Sequence, residues 1–227
     1  MSPILPTRIF TNPESLAFPE HFPENLFDLL GSDLKIWIKS ILDSLDVEET
    51  PVILGYCHAM AHVEGRVYIE KGAIVEPGAF IKGPAYIGAG SEVRHGAYIR
   101  GNVFIGANCV VGHTTEVKGS CFLDGAKAGH FAYVGDSLLG QQTNLGAGTK
   151  IANLKLNKSI VRFIDPETGK ASDSGLKKFG AILGDYAQTG CNSVLSPGSL
   201  LLPKTGVMPC HHFHGTLKKG FAPEKRS

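Results

Sequence analysis

Aliphatic residues recur at every sixth position through a long central stretch of the chain. A small or β-branched residue follows each of the first ten by four positions. One large and one small inward position per six residues predict an all-β fold, a parallel β-helix of hexapeptide repeats. Three hexads make one coil, so residues eighteen apart should stack about 4.8 Å from one another. The first series is Val63, Ile69, Val75, Ile81, Ile87, Val93, Ile99, Ile105, Val111, Val117 and Leu123; the second is Val67, Ala73, Ala79, Ala85, Ser91, Ala97, Val103, Cys109, Thr115 and Cys121.

The repeat is interrupted in two places. The segment KAGHFAYVGD, residues 127–136, reads as a non-repeating loop, after which the period resumes out of phase. A polar excursion over 154–181 predicts a hairpin or loop that leaves the coil. Loops that interrupt a regular scaffold are frequent sites of function. The period resumes first at Leu139, Leu145 and Ile151, and after the excursion at Leu183, Thr189, Leu195 and Leu201.

The N-terminal region has a helical period instead. Residues 25–46 are predicted to form a helix that packs on the coil. The chain therefore divides into a helical segment over 1–55, a β-helix over 56–208 with the inserted loop 154–181, and a C-terminal cap and tail over 209–227. The apolar face of the helix comprises Leu34, Trp37, Ile38, Ile41, Leu42 and Leu45.

Composition narrows the class of protein. A net charge of +1 argues against a general nucleic-acid or membrane-surface binder. Neither a signal segment nor an apolar run of membrane-spanning length is present, which favours a cytoplasmic location. The five cysteines include no CxxC pair, and Cys109 and Cys121 occupy small inward positions. We therefore expect reduced, structural cysteines.

Cations stand beside the repeat at the stacking interval. Lys82, Arg100 and Lys118 lie eighteen residues apart, so they should form a column on one face. Repulsion within such a column calls for a nearby anion or carboxylate. The column predicts either a phosphate site or a solvated ladder of cations, and the spacing alone does not decide between them.

Histidines offer two candidate metal sites, and for both the structural interpretation is favoured. His95 should stack over His113, but a closely spaced His-x4-His pair is missing. The cluster Cys210, His211, His212 and His214 suits zinc by ligand type, yet a polar cap or a trimer contact is the favoured interpretation. No metal site is therefore expected.

Residues 127–136 also carry the best candidate for acid–base chemistry. His130 lies there, Tyr133 follows it by three positions, and Asn144 and Asn153 lie beyond. A histidine is the natural base near neutral pH, and the phenol and amides can orient a polyhydroxylated substrate.

Three motifs carry a family resemblance. Glu116-Val117-Lys118, the segment 127–136, and Asn144 to Thr149 with Asn153 resemble the acetyltransferase domain of bifunctional N-acetylglucosamine-1-phosphate uridyltransferases. The match runs without gaps from Arg100 to Asn153, and the segment 154–181 is closer to archaeal-type members. The resemblance implies a left-handed β-helix that forms a homotrimer with active sites where subunits meet. The family's uridyltransferase domain is expected to be absent from these 227 residues.

The resemblance also implies a role for individual residues. It makes His130 the general base, Arg100 and Lys118 the phosphate ligands, and Tyr133 and Asn144 the sugar contacts. The remaining positions are Asn153, which contacts sugar and acetyl group, Lys178, a further substrate lysine, and Cys191, which stands on the coenzyme side where bacterial members have serine.

The implied reaction moves an acetyl group from acetyl-CoA to the amine of glucosamine 1-phosphate or a related amino-sugar phosphate. Two alternatives stay open. One is a non-catalytic sugar-phosphate-binding or scaffolding subunit, and the other is a hexapeptide acyltransferase that acts on a different amine. The cysteine at position 191 and a coil that ends soon after Leu201 would favour the first alternative.

Overall fold

The chain is a left-handed parallel β-helix of hexapeptide repeats. The computed structural model describes Phe10 and residues 26–223. Three parallel sheets, here called sheets 1, 2 and 3, form the sides of the coil. Sheet 1 contains β1 (Val52–Ile53), β4 (Val67–Ile69), β7 (Ala85–Ile87), β10 (Val103–Ile105), β13 (Ser120–Phe122), β16 (Leu138–Leu139), β21 (Ala181–Leu183), β24 (Ser199–Leu201) and β27 (Thr216–Leu217).

The other two sides are built in the same way. Sheet 2 contains β2 (Tyr56–Cys57), β5 (Ile74–Val75), β8 (Glu92–Val93), β11 (Val110–His113), β14 (Lys127–His130), β17 (Asn144–Leu145), β22 (Gln188–Thr189), β25 (Gly206–Val207) and β28 (Phe221–Ala222). Sheet 3 contains β3 (His62–Glu64), β6 (Phe80–Lys82), β9 (Tyr98–Ile99), β12 (Glu116–Lys118), β15 (Tyr133–Gly135), β18 (Lys150–Ile151), β23 (Val194–Leu195) and β26 (His212–Phe213).

The sheets extend past both predicted ends of the coil. They begin at Val52 and end at Ala222, whereas the sequence pattern places the coil at 56–208. The segment that contains the C-terminal histidines thus supplies β26, β27 and β28. The coil does not stop soon after Leu201.

The predicted inward positions hold as far as Val117, and two later ones are wrong. Ile105 pairs with Phe122, seventeen residues away, so Phe122 fills the interior where Leu123 was predicted. Leu123 and Cys121 instead lie in the second core, between the coil and the N-terminal helix. The reason is that the corner between sheet 3 and sheet 1 is one residue shorter here, which moves every following inward residue back by one.

The segment 127–136 is part of the coil, so its prediction as a non-repeating loop is wrong. It forms β14 and β15, and Ala128 and Val134 point inward with Val111 and Val117 as their pairing partners. A second shortened corner follows, because Val134 and Leu139, which occupy successive large inward positions, are separated by one residue fewer than the repeat requires. The two shortened corners together create the apparent interruption.

The polar excursion leaves the coil as a hairpin. Its strands, β19 (Arg162–Ile164) and β20 (Ala171–Asp173), pair in antiparallel register. The coil then closes over the insertion, because Leu139 pairs with Leu183. The excursion therefore interrupts the chain without interrupting the stack of sheets.

The N-terminal helical segment packs on the outer face of sheet 1. It consists of a short α-helix (Leu26–Asp28), a π-helical turn (Leu29–Asp33) and an α-helix (Leu34–Ser44). The ring centroids of Trp37 and Phe104 are 4.7 Å apart, and those of Phe27 and Phe163, in the hairpin, are 4.5 Å apart. Residue 25 of the predicted helix lies outside the described residues. No helix in the described ranges is long and apolar enough to cross a membrane.

Candidate functional site

The three stacked cations lie along sheet 3, as the period predicts. Their inward neighbours pair in register, Ile81 with Ile99 and Ile99 with Val117. Each cation has a carboxylate partner: Lys82 lies 3.5 Å from Glu64, Arg100 lies 2.6 Å from Glu116, and Lys118 lies 2.7 Å from Asp136. The protein thus supplies the counter-charges that the column requires.

Lys118 is part of a connected polar network. Its ammonium donates to both carboxylate oxygens of Asp136, at 2.9 and 2.7 Å. The side-chain amide of Asn153 donates to the same carboxylate, and the Tyr133 hydroxyl donates to Asn153 Oδ1 at 3.4 Å. The structure therefore brings together three residues that are predicted to contact the substrate, Lys118, Tyr133 and Asn153, through a fourth residue, Asp136.

The electrostatic environment keeps the Tyr133 hydroxyl protonated. Burial raises its pKa, and the negative charges of Asp136 and Glu116 raise it further. A protonated phenol can donate a hydrogen bond to Asn153 or to a sugar oxygen. Nearby, the hydrogen bond with Glu116 raises the pKa of Arg100, whose guanidinium lies 5.8 Å from the centre of the Tyr98 ring.

His130 lies at the corner where sheet 2 turns into sheet 3. It ends β14, its backbone pairs with His113, and its ring is exposed. The ring of His113 in turn stacks on His95, with 5.6 Å between centroids. Among the described residues, no hydrogen bond orients the His130 ring. Within a single chain, this imidazole therefore faces solvent.

Two further predicted residues lie apart from the network around Lys118. Asn144 is on sheet 2, where it pairs with Lys127 and is exposed. Cys191 is exposed at the corner that follows β22, and its carbonyl accepts a hydrogen bond from the Cys210 amide at 2.8 Å. No contact within the described chain joins either residue to Lys118.

Lys178 is brought beside Asn153 by the hairpin insertion. It forms an isolated antiparallel bridge with Leu154, and the next amide, that of Phe179, donates to the Asn153 carbonyl at 2.9 Å. The exposed Lys178 side chain is thus carried at the edge of the network. The insertion therefore contributes backbone to the same side of the coil as the site.

The described residues contain no group of three or more His, Cys, Asp or Glu side chains arranged for a metal ion. The C-terminal histidines make other contacts: His212 Nε2 lies 2.8 Å from Ser196 Oγ, and its ring lies 6.2 Å from that of His214. These contacts place the cluster on the last coil as part of the polar surface.

The sequence pattern assigned no role to Asp136 or Glu116. Asp136 had a visible signal, because it stands eighteen residues after Lys118, where the fixed interval would place the next residue of the column. Glu116 lacked that signal, because it lies sixteen residues from Arg100 and meets it diagonally across two strands.

Comparison with known proteins agrees with the motifs. A family model described as the GMPPB C-terminal domain matches residues 81–208. A bifunctional sugar-1-phosphate nucleotidylyltransferase/acetyltransferase of Sulfurisphaera tokodaii is 38% identical over 145 residues, which cover 64% of this chain and 36% of that protein. A bifunctional protein GlmU of Methanococcus maripaludis is 40% identical over 136 residues, which cover 60% and 32%. The chain thus spans about a third of the length of these relatives.

These matches confirm the resemblance to the acetyltransferase domain of the bifunctional family, including its archaeal members. Among solved structures, a Francisella novicida UDP-N-acetylglucosamine acyltransferase aligns with a TM-score of 0.46 at 14% identity. That alignment covers 72% of this chain and 62% of the other.

Proposed function

We propose that this chain, which belongs to the family of the GMPPB C-terminal domain, is an N-acetyltransferase. The proposed donor is acetyl-CoA, and the proposed acceptor is the amine of glucosamine 1-phosphate or a closely related amino-sugar phosphate. The relative from Sulfurisphaera tokodaii, whose name includes an acetyltransferase activity, supports the class of reaction.

The network around Lys118 is the observation that carries the proposal. Three residues that the resemblance gives to the acceptor, Lys118, Tyr133 and Asn153, form one chain of contacts through Asp136. Arg100 stands one coil away, about 4.8 Å along the stack. A phosphate at the cations and a sugar ring at the phenol and amide would be held by charge-assisted and neutral hydrogen bonds together.

The chemistry requires a base. The acceptor nitrogen attacks the thioester carbonyl, the carbon–sulfur bond breaks as the carbon–nitrogen bond forms, and the nitrogen must lose a proton. We assign that proton to His130, which is three residues from Tyr133 around one corner. The thiolate of coenzyme A leaves and takes up a proton. Holding the acceptor next to the thioester makes the attack effectively intramolecular.

The proposed assembly is a homotrimer with sites where subunits meet. The exposure of His130, Asn144 and Lys178 in one chain is consistent with surfaces that a second subunit would complete. On the coenzyme side, the coil continues beyond Cys191 through β26, β27 and β28, which supplies length for a groove along the pantetheine arm.

Release of free thiol from acetyl-CoA tests the proposal. Glucosamine 1-phosphate should support turnover above other amino sugars and above a reaction without acceptor. His130→Ala should lower turnover about a hundredfold or more, whereas His95→Ala, an exposed histidine at the same corner, should not. Near-wild-type activity of His130→Ala would refute its role as base.

Calorimetry and the same assay together separate the other candidate functions. Calorimetric binding of glucosamine 1-phosphate without turnover would assign a sugar-phosphate-binding subunit. Turnover only with another amine would assign a different acceptor class.

A further inference from the structure

We propose that Asp136 is a positioning residue of the acceptor site, which holds Lys118 and Asn153 in the geometry that receives the sugar phosphate. This inference rests on the proposed function. Asp136 has no assigned part in the reaction chemistry, so it would act through the residues that it orients.

The contacts of Asp136 are those of a hub. Both of its carboxylate oxygens accept from the Lys118 ammonium, and one of them also accepts from the Asn153 amide. The side chains of Lys118 and Asp136 are only 20% and 15% exposed, so water competes weakly for these bonds. The Asn153 amide nitrogen is committed to Asp136, which turns its oxygen toward the Tyr133 hydroxyl. One carboxylate thus holds two side chains directly and a third, Tyr133, through Asn153.

The backbone around Asp136 is adapted to this role. Asp136 has φ of 47°, in the left-handed region that non-glycine residues rarely adopt and that aspartate and asparagine tolerate best. The Gly180 amide donates to the Asp136 carbonyl at 2.8 Å, so the returning strand of the insertion fastens the corner. Gly119 leaves the necessary space, because a Cβ there would lie 2.5 Å from Asp136 Oδ1. Positive φ also occurs at other turns of the coil, such as Asn108 and Asn192, so the conformation belongs to the turn, and the contacts with Gly180 and Gly119 are what is particular to Asp136.

A rival role for Asp136 makes the opposite prediction. If the carboxylate merely neutralised Lys118, it would compete with the phosphate, and its removal would tighten binding of the acceptor. If it positions Lys118, whose long side chain otherwise samples many rotamers, its removal weakens binding. The direction of the change therefore distinguishes the two roles.

Asp136→Asn is the appropriate variant. Asparagine keeps the size of the side chain and tolerates the left-handed backbone, but it cannot hold the ammonium with two charged oxygens. Calorimetry with glucosamine 1-phosphate should show that the affinity falls by up to about tenfold, while the KM for acetyl-CoA stays unchanged. Asp124→Asn is the matched control, since Asp124 accepts from the Ala107 amide at a different corner.

Lys118→Met and the double variant complete the test. Because Asp136 acts through Lys118, adding Asp136→Asn to Lys118→Met should weaken binding far less than it does in the wild type. Unchanged or tighter binding by Asp136→Asn, or fully additive effects, would overturn the inference. If thermal unfolding shows that Asp136→Asn does not fold, Asp136→Glu, which keeps the charge but displaces it by one methylene, takes its place and should weaken acceptor binding alone.

The outcome for the wild type separates this inference from the proposed function. A wild-type protein that neither binds nor acetylates glucosamine 1-phosphate refutes both. The positioning role alone is refuted if the wild type acetylates glucosamine 1-phosphate and Lys118→Met weakens acceptor binding, but Asp136→Asn does not.

Discussion

Gly135→Ala should damage the proposed acceptor site while leaving the fold intact. Gly135 pairs with Lys118 in the register of sheet 3. A Cβ at this position would lie 2.8 Å from both Asn153 Nδ2 and the Tyr133 hydroxyl oxygen. Because both atoms are the far ends of side chains, they can retreat. The backbone at Gly135 does not have a positive φ, so alanine itself is accommodated.

The expected magnitudes follow from these distances. Asn153 and Tyr133 must move by about 0.6 Å to regain ordinary contact, and a displacement near 1 Å can cost about a hundredfold in rate. We therefore expect kcat/KM for glucosamine 1-phosphate to fall about ten- to a hundredfold. Loss of the Asn153 hydrogen bond to Asp136 costs about 1.5–3 kcal/mol, and replacing a strand glycine returns about 0.5–1 kcal/mol. The free energy of unfolding should thus fall by only about 0.5–2.5 kcal/mol.

Gly129→Ala is the matched control. A Cβ at Gly129 meets no atom within 4 Å, although this glycine directly precedes His130. Steady-state kinetics and urea unfolding of both variants, with sedimentation velocity to compare their oligomeric states, complete the experiment. Wild-type kcat/KM in Gly135→Ala would refute the assignment of Asn153 and Tyr133. A loss of stability above about 4 kcal/mol would show that the site cannot yield as argued.

Three further predictions concern the helix, the thiols and the phenols. Trp37→Ala should lower the free energy of unfolding by about 3–5 kcal/mol, because the indole packs against the coil and is only 8% exposed. The control Ile36→Ala, at a residue that is 64% exposed, should change it by less than about 0.5 kcal/mol, and equal losses in urea titrations would contradict the packing. Maleimide labelling of the native protein, read by mass spectrometry, should modify the exposed Cys191 and Cys210 and spare the buried Cys109 and Cys121. Burial raises the pKa of Cys109 to about 12 and also raises that of Cys121, so neither thiol ionises readily, and rapid labelling of Cys109 would refute the closed interior. Burial and a hydrogen bond to Glu70 raise the pKa of Tyr86 above its unfolded value of about 10, so its contribution to stability is present below that pH and is lost as the pH rises above it. The free energy of unfolding measured between about pH 9 and pH 11 should fall less steeply in Tyr86→Phe than in the wild type, and equal slopes would contradict this linkage.

The fold follows from the sequence wherever the period is unbroken. A strict interval of six determines three sheets and the stacking of residues eighteen apart, which is why the cation column is found where it is predicted. The errors begin at Cys121 and Leu123. Both are apolar and both are buried, so composition gives no sign that they face the helix rather than the interior of the coil. A shortened corner preserves the alternation within every strand, and a fixed interval of six does not detect it.

The site was less accessible to sequence reasoning than the fold. The resemblance implies roles for Lys118, Tyr133 and Asn153, but it gives none to the carboxylate that joins them. Its position depends on the side-chain geometry of a corner, which a repeat period does not describe. The placement of Lys178 beside Asn153 depends on how the hairpin returns to the coil, a long-range closure that no local pattern encodes.

The shortened corner explains how Asp136 reaches Lys118. With eighteen residues in this coil, Asp136 would pair with Lys118 along the sheet, as Ile99 pairs with Val117. With seventeen, Gly135 takes that place, and Asp136 moves into the corner, where its amide donates to the Lys118 carbonyl at 2.9 Å. A residue without a side chain thus lies opposite Lys118, and the carboxylate turns back toward the ammonium. Loss of one residue in mid-strand would have reversed the inward and outward faces, so a corner is where a coil can shorten and keep its interior.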